Sequence, residues 1–231
     1  LDKVINPIYW SQQSGSANMG STYRKLYYSM QLDYARTFGK HDIDAMLLYN
    51  QNSYDNGGIQ PYRHQGVAGR LSYTYDTRYV GEFNFGYNGS ENFADGHRFG
   101  FFPAFSLAWN IAEEKFVKKH LKWMNMFKLR YSYGKVGSDK LKIGDTTYRF
   151  PYLYTIKDDG NGWTWSDYGS PDNVYTGMQY TQLASNNVTW EIATKHDAGV
   201  DLSLFNDKFT ATVDYFHEQR DGIYMERNYL P

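Results

Sequence analysis

Between Gly66 and Asn110 the residues alternate with a period of two through successive runs, and no other feature narrows the possible folds as much. In the first run Val67, Gly69, Leu71, Tyr73 and Tyr75 fall on one face of an extended backbone, and Ala68, Arg70, Ser72, Thr74 and Asp76 on the other. After a turn at Asp76, Thr77 and Arg78 the pattern resumes, with Tyr79, Gly81, Phe83, Phe85 and Tyr87 on one side and Val80, Glu82, Asn84, Gly86 and Asn88 on the other. One face is aromatic and the other wettable. Such a pair suits a soluble sheet over a core, or the wall of a membrane barrel with water inside. Each run is about ten residues long, closer to the roughly 9–11 of a bilayer-crossing strand than to the roughly 5–6 typical of soluble ones. Length favours the barrel.

Composition agrees without deciding. The chain holds 23 Tyr, 14 Phe and 6 Trp at a mean hydropathy of -0.69, as alternating strands with aromatic girdles would, but an aromatic-rich soluble sandwich gives similar totals. No stretch approaches the roughly 18–20 uninterrupted apolar residues of a spanning helix. A membrane chain of this kind must therefore cross as strands, because only helices and closed barrels satisfy the backbone in lipid. The net charge of -1 asks for no nucleic acid, and the absence of Cys excludes disulfide scaffolds and thiolate metal sites. Leu1 opens the chain without Met or a signal-like apolar segment, so the expectation is a processed chain or a piece of a longer one.

The same alternation recurs along the chain. Leu1 to Ser21 reads as a polar loop, Thr22 to Phe38 as a strand longer than one crossing, Gly39 to Asp42 as a tight turn, and Ile43 to Asn52 as the returning strand. Ser53 to Gln65 and Gly89 to Gly100 read as loops, and Phe101 to Asn110 as a strand. Ile111 to Asn125 is the one helix-like segment, with Glu113 and Glu114 early and Lys118, Lys119 and Lys122 late, the order a helix dipole prefers. Phe127 to Val136 returns to strand period. Gly137 to Asn187 is a long connection, with a hairpin expected near Thr147 to Ile156. Thr194 to Phe205, a turn at Asn206 to Lys208, and the run from Phe209 to Tyr215 complete about eight strands. Short and long connections alternate, as they do between the periplasmic and extracellular ends of outer-membrane barrels.

Three blocks then carry a family likeness. The first has Asn88-Gly89-Ser90, Arg98-Phe99-Gly100-Phe101-Phe102-Pro103, Trp109 and Glu113-Glu114 in order; the second is Phe127 to Gly137, FKLRYSYGKVG. The third has Trp190-Glu191, Gly199-Val200-Asp201, Leu204-Phe205-Asn206 and Asp214-Tyr215-Phe216. Together they resemble the SusC-like branch of the TonB-dependent outer-membrane transporters of Bacteroidetes. The resemblance implies an all-β fold, a transmembrane barrel of about 22 antiparallel strands with an internal plug, of which residues 1–231 would supply about eight. It further implies long extracellular loops, one short periplasmic helical link, and nutrient import across the cell outer membrane. The implied partners are a SusD-like surface lipoprotein, TonB-ExbB-ExbD acting through an N-terminal part, outer-membrane lipid, and an oligosaccharide or peptide substrate. Neither plug, TonB-contacting segment nor closing C-terminal strand is recognised in these residues, so a fragment of barrel wall is expected. A soluble β-rich carbohydrate-binding module and a complete eight-stranded barrel are the alternatives.

No catalytic signature emerges. The six His residues show no HExxH pairing, and there is no nucleophile elbow or Walker loop. Glu113 and Glu114 read as a solvated first helical turn rather than paired catalytic acids. Asp158, Asp159 and Asn161, within Lys157 to Gly162, have the oxygen-rich look of a calcium loop but lack EF-hand spacing, and an ordinary turn is the simpler reading. Trp163, Trp165, Tyr168 and Tyr175 sit among Asp and Asn, as suits stacking on sugar rings, while packing of the loop against itself or a lid is the simpler reading. No cofactor is expected.

Overall fold

Turn residues at short intervals fold the alternating runs back on one another, and the product is one eight-stranded antiparallel sheet. The structure, a computed structural model, describes residues 23–55, 61–165 and 173–225. The sheet is built from β1 (Arg24–Phe38), β2 (His41–Asp55), β3 (Tyr62–Tyr75), β4 (Tyr79–Ser90), β5 (Phe99–Asn110), β6 (Met124–Ser138), β11 (Glu191–Leu204) and β12 (Phe209–Asp221). They are hydrogen-bonded in the order β1-β2-β3-β4-β5-β6-β11-β12. Chain order is spatial order, apart from two small hairpins set between β6 and β11. These are β7 (Leu141–Ile143) with β8 (Thr146–Tyr148), and β9 (Thr155–Trp165) with β10 (Asn173–Gln182).

Register keeps the two faces separate across the whole sheet. One continuous row runs Tyr34, Ala45, Leu71, Phe83, Phe105, Tyr133, His196 and His217. The neighbouring row on the opposite face runs Ala35, Asp44, Ser72, Glu82, Ser106, Ser132 and Asp197. A slip of one residue would exchange these two sets, so the pattern itself fixes the pairing. Among the described residues no second sheet covers the aromatic face, where Phe83 is 42% exposed and Tyr87 44%. A dry two-layer core is therefore not what this face builds.

The three short connections lie at one end of the sheet. Gly39, at φ +62°, turns β1 into β2, and Asp76 and Thr77, both at positive φ, turn β3 into β4. The first two turns are tied together by Lys40 Nζ, 3.0 Å from Asp76 Oδ2, and Arg78 Nη2 reaches the same oxygen at 2.6 Å. Phe205, Asn206 and Asp207, all at positive φ, make the β11–β12 turn.

Several expectations are corrected. The hairpin read as ending near Asn52 continues, because Asn52, Ser53 and Tyr54 pair with His64, Arg63 and Tyr62. The polar composition of Ser53 to Gln65 hid this, since backbone pairing does not need apolar side chains. The fifteen-residue helix shrinks to a 3-10 turn at Ile111–Glu113 and a six-residue helix, α1 (Lys115–His120). Glu114 breaks it, with an extended backbone at φ -66° and ψ 137° and a carboxylate committed to three neighbours. The hairpin expected near Thr147 to Ile156 is instead the end of one hairpin, β7–β8, and the start of another, β9–β10. Lys157 to Gly162 is neither turn nor loop but lies inside β9. Finally, β1 and β12 occupy opposite edges of an open sheet, which does not match a closed eight-stranded barrel.

The two faces should tolerate charge unequally. Phe83→Arg, on the aromatic face, is expected to cost about 2–4 kcal/mol if hydrocarbon bathes that face. Ser106→Arg, on the polar face, should stay within about 1 kcal/mol. Denaturant unfolding of the intact protein in detergent measures both.

Candidate functional site

At the end of the sheet opposite the short turns, the strands give way to long connections that are sewn together. Asp139, the first residue after β6, is the centre of the stitching. Its Oδ2 lies 2.7 Å from Nε2 of His64 on β3 and accepts from Ser90 Oγ at the end of β4 at 2.5 Å, while its carbonyl accepts from Asn92 Nδ2 at 3.1 Å. Two other strands, β3 and β4, are thus held to one carboxylate, and the connection after β4 to the carbonyl of the same residue. Burial alone pushes Asp139 up, but the hydrogen bonds from His64 and Ser90, with the charge of His64, outweigh it and hold the carboxyl below its ordinary range.

Beside it lies the only sizeable core among the described residues, formed by Phe93, Phe102, Leu141 and Trp190. The Trp190 ring sits 5.2 Å from those of both Phe93 and Phe102, edge-on to the latter, and its indole N–H donates to the Arg98 carbonyl at 3.3 Å. Farther around the rim the Arg149 guanidinium stands 3.3 Å from the centre of the Tyr62 ring, and Tyr152 donates to the Glu91 carbonyl at 3.2 Å. A cavity of about 120 Å³ opens here between Gln51, Arg63, His64, Ser90, Arg98 and Phe99. The long connections therefore stand on a braced base.

Of the predicted aromatic residues, Trp163 and Trp165 lie in β9 and Tyr175 in β10. Trp163 pairs across the hairpin with Tyr175, and Trp165 with Asn173. Tyr168 lies outside the described residues. Sequence spacing alone did not bring Trp163 and Tyr175 together; strand pairing does. Asp158, Asp159 and Asn161 lie in β9 as well, and no group of three or more His, Asp or Glu able to hold a metal ion forms among the described residues.

The polar face carries charges that pattern alone did not single out. Arg130 on β6 reaches Asp201 on β11 at 2.9 Å and Asp214 on β12 at 2.6 Å. Gly199 stands between Arg130 and Asp214 in register, and a Cβ there would meet Asp214 Oδ1 at 2.3 Å and Arg130 Nη2 at 2.8 Å. The glycine leaves the gap the ion pair crosses. A second cluster joins Lys195 to Glu218 at 3.1 Å, and Arg220 to Glu218 at 2.6 Å and Glu191 at 3.5 Å. Only the register shows that these distant residues share a face. Glu113 and Glu114, read as solvated, are instead engaged: Glu113 pairs with Lys118, and Glu114 accepts from Tyr79 at 2.7 Å, Trp109 at 3.3 Å and Arg78 at 3.1 Å. The Tyr79 hydroxyl first, then the Trp109 indole and Arg78, hold the Glu114 carboxyl below its ordinary range.

Two outcomes test the braced base. Because the Asp139 carboxyl is depressed in the folded protein, its stabilisation is complete above the ordinary carboxylate pKa of about 3.9 and disappears as pH falls through the lower folded value. Protection of the Ser90 amide against hydrogen exchange should follow that curve, and Asp139→Ala should abolish the dependence at a local cost of about 1.5–3 kcal/mol. Trp190→Ala should cost about 3–5 kcal/mol and open residues 91–98 to limited proteolysis.

With the geometry in hand, the chain was compared with known proteins. No family model matches it. It is 26% identical over 226 residues to the TonB-dependent receptor P3 of Formosa agariphila, covering 85% of this chain and 21% of that protein. It is 26% identical over 223 residues to the TonB-dependent receptor SusC of Bacteroides thetaiotaomicron, covering 86% and 21%. The chain thus spans about a fifth of the length of the curated relatives it matches. Among solved structures, that of the RagAB peptide transporter shares the fold, with a TM-score of 0.66 at 16% identity over 86% of this chain and 24% of that one. The resemblance drawn from the residues is therefore borne out: the homologues of this chain are TonB-dependent receptors, SusC among them, and its eight-stranded sheet is laid out as part of such a receptor's barrel wall.

Proposed function

We propose that this chain forms part of the wall of an outer-membrane importer that takes up an oligosaccharide with a SusD-like lipoprotein, driven through TonB-ExbB-ExbD. The observation that carries it is the single-layer sheet with one aromatic and one polar face, a form that suits hydrocarbon on one side and a watery lumen on the other. The charged clusters around Arg130 and Glu218 belong on the lumen side. The braced connections then face outward, and the β9–β10 hairpin offers Trp163, Trp165, Tyr168 and Tyr175 to sugar rings or to the lipoprotein. The chain's role is passage, with no chemistry of its own.

A peptide substrate is the second reading. Its support is the fold likeness to RagAB, whose structure is that of a peptide transporter, and the aromatic hairpin serves a peptide as readily as a glycan. A soluble carbohydrate-binding module is disfavoured by the uncovered aromatic face.

Substrate trials on the intact protein separate the readings. Trp163→Ala and Trp165→Ala should each weaken oligosaccharide binding about 2–12-fold by titration calorimetry, and deleting tonB should stop uptake. Binding of peptides with no response to any oligosaccharide would move the assignment to the peptide class, and a monomer stable in plain buffer would sink the membrane reading altogether.

A further inference from the structure

Near the short-turn end the aromatic face is interrupted. In the row Tyr73, Gly81, Leu107 and Tyr131 the second position has no side chain. The gap widens into a groove of about 510 Å³ walled by Tyr73, Tyr79, Leu107, Trp109, Leu129 and Tyr131. The lower end of this apolar slot is polar. There the Tyr79 hydroxyl and the Trp109 indole N–H both donate to Glu114, the residue that opens α1.

Immediately past Glu114 the link turns basic. Lys115, Lys118, Lys119 and Lys122 are all exposed, as are Phe116, at 69%, and Trp123, at 44%. Both link carboxylates are already engaged, Glu113 with Lys118 and Glu114 with Arg78. Lys115, Lys119 and Lys122 form no ion pair among the described residues. A slot for hydrocarbon, a belt of hydroxyl and indole at Glu114 and, from the next residue on, uncommitted lysines therefore follow one another in order. A glycerophospholipid presents the same sequence in complement, as acyl chain, ester and phosphate.

We infer that this end of the sheet seats one anionic phospholipid of the inner leaflet, with an acyl chain in the groove at Gly81 and its phosphate at the lysines of the link. The exposed lysines of the link favour an anionic headgroup as that occupant, and a second copy of this chain seated on the groove is the competing outcome of the test. The inference rests on the reading of the short connections as periplasmic.

The test is native mass spectrometry of the intact protein, released from detergent with dioleoylphosphatidylglycerol or dioleoylphosphatidylcholine added. One phosphatidylglycerol should be retained, with a preference of about 5-fold for each lysine engaged. A Cβ at Gly81 would stand 3.6 Å from Leu107 Cδ2, an ordinary contact, so the backbone there has room for a side chain and Gly81→Leu places one in the groove. That variant should lose most of the bound lipid. Lys115→Glu with Lys119→Glu should erase the preference for phosphatidylglycerol while leaving heat-modifiable migration intact, and this pair carries the test should Gly81→Leu fail to fold. Equal retention of the two lipids, retention unchanged in Gly81→Leu, or a dimer that excludes lipid would each overturn the inference. In those cases the protein would still migrate as a heat-modifiable, detergent-requiring band; loss of that band would instead sink the membrane reading beneath it.

Discussion

A backbone that meets hydrocarbon has no water to bond to, so every N–H and C=O along it must be satisfied within the sheet. The ladders that run from β1 to β6, and on through β11 to β12 with one register shift at Ser203 and Leu204, answer that demand for every strand but the outer edges of β1 and β12. Once the backbone is committed in this way, the side chains are free to specialise by parity alone. Phe83 and Phe85 can be greasy while Glu82 and Asn84 between them are polar, because the strand does not need either for its own pairing. The two-faced character of the wall follows from hydrogen bonding rather than competing with it.

That separation also explains what could be read from the residues. Alternation is local, so β1, β3, β4, β5, β6 and β11 were visible within a residue or a few at each end. The turns at Gly39 and at Asp76 to Arg78 were visible because Gly, Asp and Lys between alternating runs leave little else to build. The extension of β2 to Asp55 was not visible, because its last residues are held by backbone pairing with Arg63 and Tyr62 and carry no apolar signal of their own. The link after β5 misled for a related reason. Its helical charge order is real, yet Glu114 gains more from Tyr79, Trp109 and Arg78 than a helical backbone would give it.

The candidate site was legible in kind more than in place. The aromatic residues stood out from their polar connection, but nothing in the spacing announced that Trp163 and Tyr175 would be partners across β9 and β10. Asp139 gave no sign at all. It follows a strand as an ordinary polar residue, and its importance arises only because His64 and Ser90, from two other strands, arrive at the same oxygen. Arg130 and its two carboxylates make the same point on the polar face. Contacts between residues 71 and 84 positions apart belong to register, and register is a property of the assembled sheet.

The two ends of the sheet are consequently built on different physics. At the turn end three connections are tight turns and the fourth, between β5 and β6, buries only Ala112 and Val117, so much rests on rings laid side by side, Tyr75 on Tyr79 and Tyr79 on Trp109, at ring separations of 6.4 Å and 6.2 Å. At the other end the connections are long, and they would be floppy without the Phe93, Phe102, Leu141 and Trp190 core and the Asp139 junction beneath them. The two devices share no residue, so either end can be altered without disturbing the other.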